Sequence, residues 1–336
     1  MSRHVNIPIF VPHLGCPNQC EFCNQRAISG REAFSLSAVR GEIEAVLSSS
    51  GDATCEIAFF GGSFTGIDRE LMLSLLDLAA EYVAGGRVSG IRMSTRPDYI
   101  DPEIVEILRR YPVCCVELGV QSTDDSVLAC LKRGHTAADT ALAFSLLGEN
   151  RIPAAGQMMI GLPGATPESE LATAEAICKM GAVAARIYPT LVFRETELAA
   201  WTAAGEYTPL SLEVAVERSK NVFAVFLSHG VPCLRIGLCE SENLHSDRSF
   251  VAGPNHSAIG ELVMAALYRD RIFAALPRED LTNRKLVITC PQGHVSRVVG
   301  HRAATKKELL SRCCLAAVRV EESPQMTEYT VNLTLT

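Results

Sequence analysis

Residues 15–24 read Gly15-Cys16-Pro17-Asn18-Gln19-Cys20-Glu21-Phe22-Cys23-Asn24, directly after a short apolar run, Ile7–Val11. Three thiols lie within eight residues at the spacing C-x3-C-x2-C. Packing in a core does not require such a cluster of cysteines in a loop. The spacing suits three corners of a cubic [4Fe-4S] cluster whose fourth iron stays open to a ligand from outside the protein. A tetrahedral zinc site, the alternative, would need a fourth ligand, for which His13 is the nearest candidate.

The whole composition supports reduced thiols. The chain has 336 residues, 48% of them apolar, and a formal net charge of -7. This apolar content excludes a disordered chain. The 13 cysteines are an odd number, and without a secretion signal they argue against a disulfide framework. No run approaches the roughly 18 uncharged apolar residues of a membrane span, so we expect a cytoplasmic protein without a membrane partner.

Short apolar runs alternate with amphipathic stretches over the first 190 residues or so. The predicted strands are Ile7–Val11, Glu56–Phe60, Ile91–Ser94, Val113–Gly119, Ala154–Ile160 and Ala184–Tyr188. The predicted helices are Leu36–Ser48, Arg69–Val83, Pro102–Arg110, Asp124–Lys132, Ala137–Asn150 and Pro167–Met180, after the N-cap residues Ser35, Asp68, Asp101, Thr123, Thr136 and Thr166. Six strand-then-helix units predict an α/β fold with a parallel sheet, in barrel or open form. In such folds the loops after the strands carry the chemistry.

The alternation of strand and helix patterns changes after Tyr188. The pattern predicts a helix over Ser211–Ser228 and a further strand over Cys233–Gly237. A small α/β unit follows, with strands Leu286–Cys290, Ala316–Val320 and Glu328–Leu335 and a helix around Lys306–Cys314. We therefore predict three parts: a barrel over 1–205, an extension over 206–280 and a C-terminal unit over 281–336.

Each predicted strand ends in a polar or glycine-containing motif. These motifs are Phe60-Gly61-Gly62-Ser63-Phe64, Ser94-Thr95-Arg96-Pro97-Asp98, Glu117–Ser122 followed by Arg133–Thr136, Gln157–Gly164 and Arg186–Val192. Together with the cysteine motif they resemble the radical SAM superfamily, and within it the branch that contains the Elp3 radical domain. The oxygen-independent coproporphyrinogen oxidases are more distantly similar.

This resemblance implies a partial (β/α)6, TIM-like barrel. It also implies an enzyme in which a reduced [4Fe-4S] cluster cleaves S-adenosylmethionine to a 5'-deoxyadenosyl radical that abstracts hydrogen from a substrate. Such a cluster is expected to need anaerobic conditions, and the electron is expected from a flavodoxin or ferredoxin type of reductant. We find no acetyl-CoA-binding loop, so we expect an Elp3-like chain without the acetyltransferase domain.

Residue roles follow from the resemblance position by position. The cluster ligands would be Cys16, Cys20 and Cys23. The S-adenosylmethionine contacts would be Phe22, Gly61, Gly62, Ser63, Ser94, Arg96, Gln121, Arg133, Gln157 and Gly161. Serines at 63 and 94 and an amide at 157 stand where the porphyrinogen branch often has acids, which weakens an assignment to haem chemistry. The candidate catalytic residues are Tyr188, Cys239 and His256. Cys239 could donate a hydrogen atom or meet the substrate, and His256 could act as acid or base or orient the substrate. The alternatives are a buried or incidental thiol at Cys239 and a structural role for His256.

The remaining cysteines are predicted to be mostly structural. We expect core thiols at Cys55, Cys114, Cys115, Cys130 and Cys178. Cys290, Cys313 and Cys314 share the C-terminal unit, where a second metal would need a further ligand such as His294 or His301. Without C-x2-C spacing, this second site stays an open alternative.

The C-terminal unit is basic although the chain is acidic. Between Arg284 and Arg319 there are eight Lys or Arg residues and one acid, Glu308. Such a segment is a candidate RNA-binding surface, and Gly300-His301-Arg302-Ala303 has a weak likeness to the G-x-x-G loop of KH modules. A solvated basic helix is the alternative. Two other functions stay open: a radical SAM enzyme acting on a small metabolite, and a non-catalytic iron-sulfur protein that transfers electrons or senses redox state.

Overall fold

The computed structural model describes residues 4–11, 14–16, 20–24, 34–238 and 249–336. The chain divides into two compact units. The first comprises Met1–Ser211 with Val225–Asn255, and the second comprises Leu212–Ala224 with His256–Thr336. The division into 1–205, 206–280 and 281–336 stays a prediction.

The first unit contains a seven-stranded parallel sheet in the order β1-β2-β3-β4-β5-β6-β8. Its strands are β1 (His4–Phe10), β2 (Thr54–Phe60), β3 (Gly90–Thr95), β4 (Val113–Gln121), β5 (Ala154–Ile160), β6 (Ala184–Pro189) and β8 (Cys233–Ile236). A two-stranded sheet pairs β7 (Val192–Phe193) with β9 (Phe250–Ala252). The predicted α/β partial (β/α)6 barrel is confirmed, and β8 extends it by a seventh parallel strand.

Most strands are longer than their apolar runs. In β1, for example, pairing begins at His4, because His4 and Asn6 lie opposite Thr54 and Glu56 of β2. Backbone pairing continues into polar residues where side chains can reach solvent or each other. The bounds of an apolar run therefore do not indicate where a strand begins or ends.

The helices of the barrel follow the strands as expected. They are α1 (Leu36–Ser50), α2 (Arg69–Ala84), α3 (Pro102–Leu108), α4 (Asp125–Cys130), α5 (Ala137–Glu149), α6 (Pro167–Lys179) and α7 (Glu197–Ala204). Side-chain caps are confirmed at Asp68, Asp101, Thr136 and Thr166.

One predicted cap is wrong, and another is at the N-cap position but makes no capping hydrogen bond. Helix α4 is capped by Asp124, whose Oδ1 accepts from the backbone of Ser126 at 2.9 Å. Thr123 instead donates to Thr173 Oγ1 through its backbone N–H at 3.0 Å. Ser35 precedes α1 but makes no side-chain cap, because its hydroxyl pairs with that of Ser37.

The later elements are α8 (Leu212–Ser228), α9 (Ile259–Ala275), β10 (Lys285–Pro291), α10 (Val295–Val299), α11 (Ala304–Arg312), β11 (Ala317–Ser323) and β12 (Asn332–Leu335). In the second unit β10 lies between β11, to which it is parallel, and β12, to which it is antiparallel. The predicted start of β12 at Glu328 is wrong. Tyr329 has a φ of 58°, a left-handed conformation that interrupts the extended backbone of a strand, and its ring is buried against Tyr268 at 5.6 Å between centroids.

The cysteines outside the motif are free thiols wherever the structure describes them. Cys55 and Cys115 are buried as predicted, while Cys114 and Cys178 are half-buried. Burial raises the pKa of Cys115 to about 11 and that of Cys114 to about 12. The prediction of a core thiol is wrong for Cys130, which is exposed at the last position of α4. Within the described ranges, no helix has the length and apolarity needed to cross a membrane.

Candidate active site

A cavity of about 240 Å³ opens at the carboxyl ends of the parallel strands. Its lining comes from the cysteine loop, from residues in or directly after β1 to β6, and from later positions at Arg133 after α4, at Leu191 and Phe193 around β7, and at Leu238 after β8. Charged and polar groups lie beside aromatic and aliphatic ones. The lining residues are Phe10, Cys16, Cys20, Phe22, Cys23, Phe60, Gly61, Gly62, Ser63, Ser94, Thr95, Arg96, Glu117, Gly119, Gln121, Arg133, Gln157, Met159, Arg186, Tyr188, Pro189, Leu191, Phe193 and Leu238.

The cysteine loop is tied to the barrel by its backbone. Cys23 N–H donates to Cys20 O at 2.9 Å and forms a tight turn. Within this turn, the backbone N–H of Glu21 donates to Leu131 O at 3.3 Å, and the backbone oxygen of Glu21 accepts from Leu198 N–H at 2.9 Å. The ring of Phe22 packs against the buried cluster of Val127, Leu131 and Leu162. The thiols therefore face the cavity from a loop that is anchored on both sides.

Two glycines explain how closely the loop after β2 approaches the cysteine loop. A Cβ on Gly62 would lie 2.3 Å from Leu14 O, and a Cβ on Gly15 would lie 2.2 Å from Ser63 O. Ser63 N–H donates to Leu14 O at 3.1 Å across the same contact. Glycine at 62 therefore fits the neighbouring backbone, in addition to lining the cavity as expected.

Alternate residues of β4 present Glu117, Gly119 and Gln121 to the cavity, as the two-residue period of a strand requires. The amides of Gln121 and Gln157 are paired in both directions, at 3.1 and 2.8 Å. Gln121 has a φ of 65°, uncommon outside glycine. A Cβ on Gly119 would lie 2.9 Å from both Gln121 Nε2 and Arg133 Nη2, so this glycine makes room for two polar side chains.

Buried basic groups lie on the cluster side of the cavity. Arg133 donates to Cys20 Sγ at 3.4 Å and to Gly119 O at 3.0 Å. Arg96 is 1% exposed and pairs with Asp98 through two hydrogen bonds of 2.9 and 2.7 Å. His135 is buried behind them, and burial, followed by the charge of Arg133, lowers its pKa to about 4.

A chain of alternating charges crosses the strands inside the barrel. Arg92 donates to Glu56 at 2.9 Å and to Glu117 at 3.2 Å. Arg186 donates to both oxygens of Glu117, at 2.6 and 2.9 Å. Glu117 and Arg186 line the cavity, and sequence reasoning assigned neither a role. The available signal was one charged residue inside each of four otherwise uncharged strands, alternating in sign from β2 to β3 to β4 to β6.

Aromatic side chains form the opposite part of the lining. The rings of Phe10 and Phe60 lie 6.5 Å apart between centroids, and the guanidinium of Arg186 lies 5.7 Å from the centre of the Phe60 ring. Tyr188 and Phe193 complete this group. A cavity with apolar walls and a few buried polar groups is the usual form of a site for a small molecule.

The structure brings together most of the predicted site residues. All three motif cysteines, Tyr188 and nine of the ten predicted S-adenosylmethionine contacts line the cavity. Gly161 does not line it. Its backbone oxygen accepts from Tyr207 Oη at 2.7 Å, and a Cβ there would lie 2.5 Å from Leu210, so the segment after α7 covers this position.

The structure places one other candidate outside this lining and does not describe another. His256 belongs to the second unit, where its Nδ1 accepts from the backbone of Ala258 at 3.0 Å and its ring lies 5.8 Å from that of His301. Cys239 and the alternative ligand His13 lie outside the described residues. In the part of the chain that the structure describes, no three His, Cys, Asp or Glu side chains converge where a single metal ion could bind.

Comparisons with known proteins agree with this geometry. The model of the radical SAM superfamily matches residues 10–177, half of the chain, and the model of the radical SAM C-terminal domain matches residues 183–269. The chain belongs to the radical SAM superfamily. It is therefore an enzyme of the kind that uses a [4Fe-4S] cluster and S-adenosylmethionine, as predicted.

Individual relatives cover parts of the chain. An uncharacterized protein of Methanocaldococcus jannaschii is 29% identical over 210 residues, 59% of this chain and 64% of its own length. A tRNA uridine(34) acetyltransferase of Dehalococcoides mccartyi is 31% identical over 167 residues, 48% of this chain and 36% of its own length. The matches thus span less than two thirds of either relative.

Solved structures show the same fold. Elp3 of Methanocaldococcus infernus aligns with a TM-score of 0.64 at 23% identity, over 80% of this chain and 64% of the other. Coproporphyrinogen III oxidase of Escherichia coli aligns with a TM-score of 0.50 at 16% identity, over 81% and 59%. These neighbours share the fold of this chain, and proteins of the Elp3 and tRNA uridine acetyltransferase type are among the relatives that it matches.

The residues present fit the two cofactors of the family. In a cubic cluster each thiolate binds a separate iron, so three thiols must face one space without converging on a point. Cys16, Cys20 and Cys23 all face the cavity. Arg96 and Arg133, both in the same lining, each have a buried nitrogen atom without a hydrogen-bond partner among the residues that the structure describes, and such groups suit an anionic occupant.

Proposed function

We propose that Cys16, Cys20 and Cys23 hold a [4Fe-4S] cluster with one open iron, and that S-adenosylmethionine binds beside it in the barrel cavity. One observation carries this proposal: the three thiols line the same cavity as nine of the ten residues expected to contact S-adenosylmethionine. Bound there, the two cofactors supply the reductive cleavage that yields a 5'-deoxyadenosyl radical, which abstracts hydrogen from the substrate.

The protein's own residues bind, orient and exclude water. The paired amides of Gln121 and Gln157 fix each other, so that their remaining polar groups meet the ligand in one orientation. Phe22, held by its apolar cluster, offers a flat surface to the adenine. Phe10, Phe60 and Phe193 keep the remaining lining dry, which a reactive radical requires. A flavodoxin or ferredoxin type of protein supplies the electron.

The test is anaerobic reconstitution with iron and sulfide, followed by dithionite and S-adenosylmethionine. We expect four iron atoms per chain and release of 5'-deoxyadenosine. The variant Cys16→Ala/Cys20→Ala/Cys23→Ala should lose both. The matched control Cys290→Ala/Cys313→Ala/Cys314→Ala removes three thiols from the second unit and should keep both. Cleavage that survives in the first variant contradicts the proposal, and iron lost only in the control would place a metal at the second set.

We further propose that the substrate belongs to an RNA. Four of the eight basic residues in 284–319 are neutralised by acids: Arg284, Arg297, Arg312 and Arg319 pair with Glu279, Glu261, Glu308 and Glu321. Arg302, Lys306 and Lys307 make no ion pair with any residue that the structure describes, and they lie together around the start of α11. Phosphates can reach such cations, and the resulting affinity falls as salt displaces counterions.

Electrophoretic shift with a tRNA mixture across a salt series tests this proposal. The variant Arg302→Glu/Lys306→Glu/Lys307→Glu should lose the shift at low salt. The control Arg109→Glu/Arg110→Glu/Lys179→Glu makes the same charge change on exposed residues of the first unit and should retain it. Absence of any shift at low salt, or equal loss of the shift in both variants, overturns the proposal of an RNA substrate and favours a small metabolite.

A further inference from the structure

The side chain of Arg133 reaches a thiol that is expected to bind the cluster. Its Nη1 donates to Cys20 Sγ at 3.4 Å, while Nη2 donates to Gly119 O at 3.0 Å. The backbone fixes the origin of this side chain, because Arg133 N–H donates to Leu128 O at 2.9 Å at the end of α4. Arg133 is 8% exposed, so its charge acts in a region from which most water is excluded.

A second arginine lies in the same lining and is held even more firmly. Arg96 is 1% exposed, its two hydrogen bonds to Asp98 fix the plane of the guanidinium, and its charge lies 5.8 Å from the centre of the Tyr99 ring. Burial lowers the pKa of Arg96, but Asp98 and then the thiols of Cys20 and Cys16 raise it by more, so the net shift is upward. Arg96 is therefore charged at any pH at which the protein is folded.

Both guanidinium groups keep donors without a protein partner. Arg96 Nη1 and Arg133 Nε are buried and make no hydrogen bond within the described part of the chain. A buried donor without a partner costs about 1–3 kcal/mol, and more when it is charged. Asp98 neutralises one of the two charges. The second is not balanced by a carboxylate in hydrogen-bond contact, so this wall of the cavity favours negative charge.

We propose that Arg133 and Arg96 set the reduction potential of the cluster by stabilising negative charge on its sulfur ligands, Arg133 directly at Cys20 Sγ. This role rests on the proposed function, because it requires the cluster at the three cysteines. One-electron reduction by the external reductant would add one negative charge to the site. Buried positive charges and hydrogen bonds to the sulfurs stabilise this added charge and raise the potential. Both arginines thus act on the added electron by stabilising its charge.

This role is separate from contact with S-adenosylmethionine. A residue that only anchors S-adenosylmethionine affects its binding and leaves the potential of the cluster alone unchanged. A residue that hydrogen-bonds to the ligand sulfur affects the potential when no S-adenosylmethionine is present. The two roles can therefore be distinguished in the reconstituted protein before any substrate is known.

The experiment is an anaerobic redox titration of the reconstituted full chain, without S-adenosylmethionine, followed by the electron paramagnetic resonance signal of the reduced cluster. Arg133→Gln keeps a donor but removes the charge, and Arg133→Lys keeps the charge. Arg96→Gln provides a second, independent site. The control Arg110→Gln removes an arginine that is 66% exposed on the protein surface. Iron and sulfide are counted in every sample.

We expect a lower potential in Arg133→Gln, a smaller lowering in Arg96→Gln because Asp98 already balances that charge, and wild-type values in Arg133→Lys and Arg110→Gln. A wild-type potential in Arg133→Gln with full iron content overturns the proposal. If Arg133→Gln does not retain iron, an unchanged potential in Arg96→Gln overturns it instead. Failure of the wild-type chain to bind four iron atoms contradicts the proposed function itself, so the two failures are distinguishable.

Discussion

Arg186 and Glu117 form a two-bond ion pair inside the barrel, with Nε to Oε2 at 2.6 Å and Nη2 to Oε1 at 2.9 Å. They stand on β6 and β4, which are separated by β5. Ala155 of β5 lies opposite Glu117 in the register, and its small side chain leaves room for the pair to bridge the strand. The pair therefore links β4 to β6 across β5 in the lining of the cavity.

Removing one residue of this pair should lower the free energy of unfolding substantially. Both residues are buried, and removing one partner of a buried pair leaves an uncompensated charge, which costs about 3–5 kcal/mol. Arg186→Met should cost less than this range, because Arg92 still donates to Glu117. The double variant Glu117→Leu/Arg186→Met should be more stable than the sum of the two single changes predicts. Denaturant unfolding of the apoprotein under nitrogen measures the four free energies.

The exposed pair Arg109 and Glu106 serves as the control for that cycle. Both side chains are more than half exposed and lie 3.4 Å apart, a class of pair that contributes about 0–1 kcal/mol. Equal coupling energies in the buried and the exposed pair would show that the barrel pair does not hold the strands together.

The contact between the cysteine loop and the loop after β2 leads to a second prediction. Gly62→Ala places a methyl group 2.3 Å from Leu14 O, and backbone cannot move aside as a flexible side chain can. We expect a loss of about 1–3 kcal/mol in unfolding free energy, as for overpacking, together with reduced iron content after reconstitution. Gly41→Ala on α1 meets no atom within 4 Å and should stabilise the protein by up to about 1 kcal/mol. Full iron loading in Gly62→Ala would contradict the prediction.

The order of elements and the location of the site could be predicted because each depends on local sequence. Continuous apolar runs mark strands that are covered on both faces, and capping residues such as Asp68 and Thr136 mark the helix starts. The parallel order then brings all strand ends to one edge. This is why Cys20 and Gln157, far apart in the chain, line one cavity.

The contacts between strands could not be predicted in the same way. Nothing near Glu117 in the sequence indicates that Arg186, 69 residues away, is its partner, because the distance depends on barrel curvature and on the size of Ala155 between them. The same reasoning applies to Gly161, whose motif is regular but whose surface is covered by Leu210 from a later segment. Tyr329 shows a third limit, since an alternating pattern does not reveal a left-handed backbone.

His135 should make the stability of the protein depend on pH in the acidic range. Its folded pKa is lowered to about 4 by burial and by Arg133, with Arg96 acting in the same direction and Asp98 opposing. The unfolded value is 6.5, so between these values the unfolded chain binds the extra proton. Stability is therefore complete above pH 6.5 and falls as the pH drops toward 4. From pH 7.5 to pH 5 the loss from this group is about 2 kcal/mol.

The variant His135→Gln isolates that contribution, because Gln can still donate to Val120 O where His135 Nε2 lies at 3.2 Å. Denaturant unfolding at several pH values should show a flatter pH dependence for the variant, with the difference confined to the window from about 6.5 to 4. Parallel curves for the two proteins would rule out a neutral, buried His135.

The unusual backbone of Gln121 allows its side chain and its conformation to be tested separately. A residue other than glycine at a φ of 65° is strained by about 1–2 kcal/mol, and this strained residue carries the amide that pairs with Gln157. Gln121→Ala loses the amide and keeps the strain, whereas Gln121→Gly loses the amide and relieves the strain.

Both variants should bind S-adenosylmethionine about tenfold more weakly, the loss of roughly one hydrogen bond, as measured by calorimetry on the reconstituted protein without reductant. Only Gln121→Ala should also lose about 1 kcal/mol of unfolding free energy relative to Gln121→Gly. Equal stability of the two variants would mean that the strain is absorbed elsewhere in the loop, and unchanged affinity in both would remove Gln121 from the S-adenosylmethionine site.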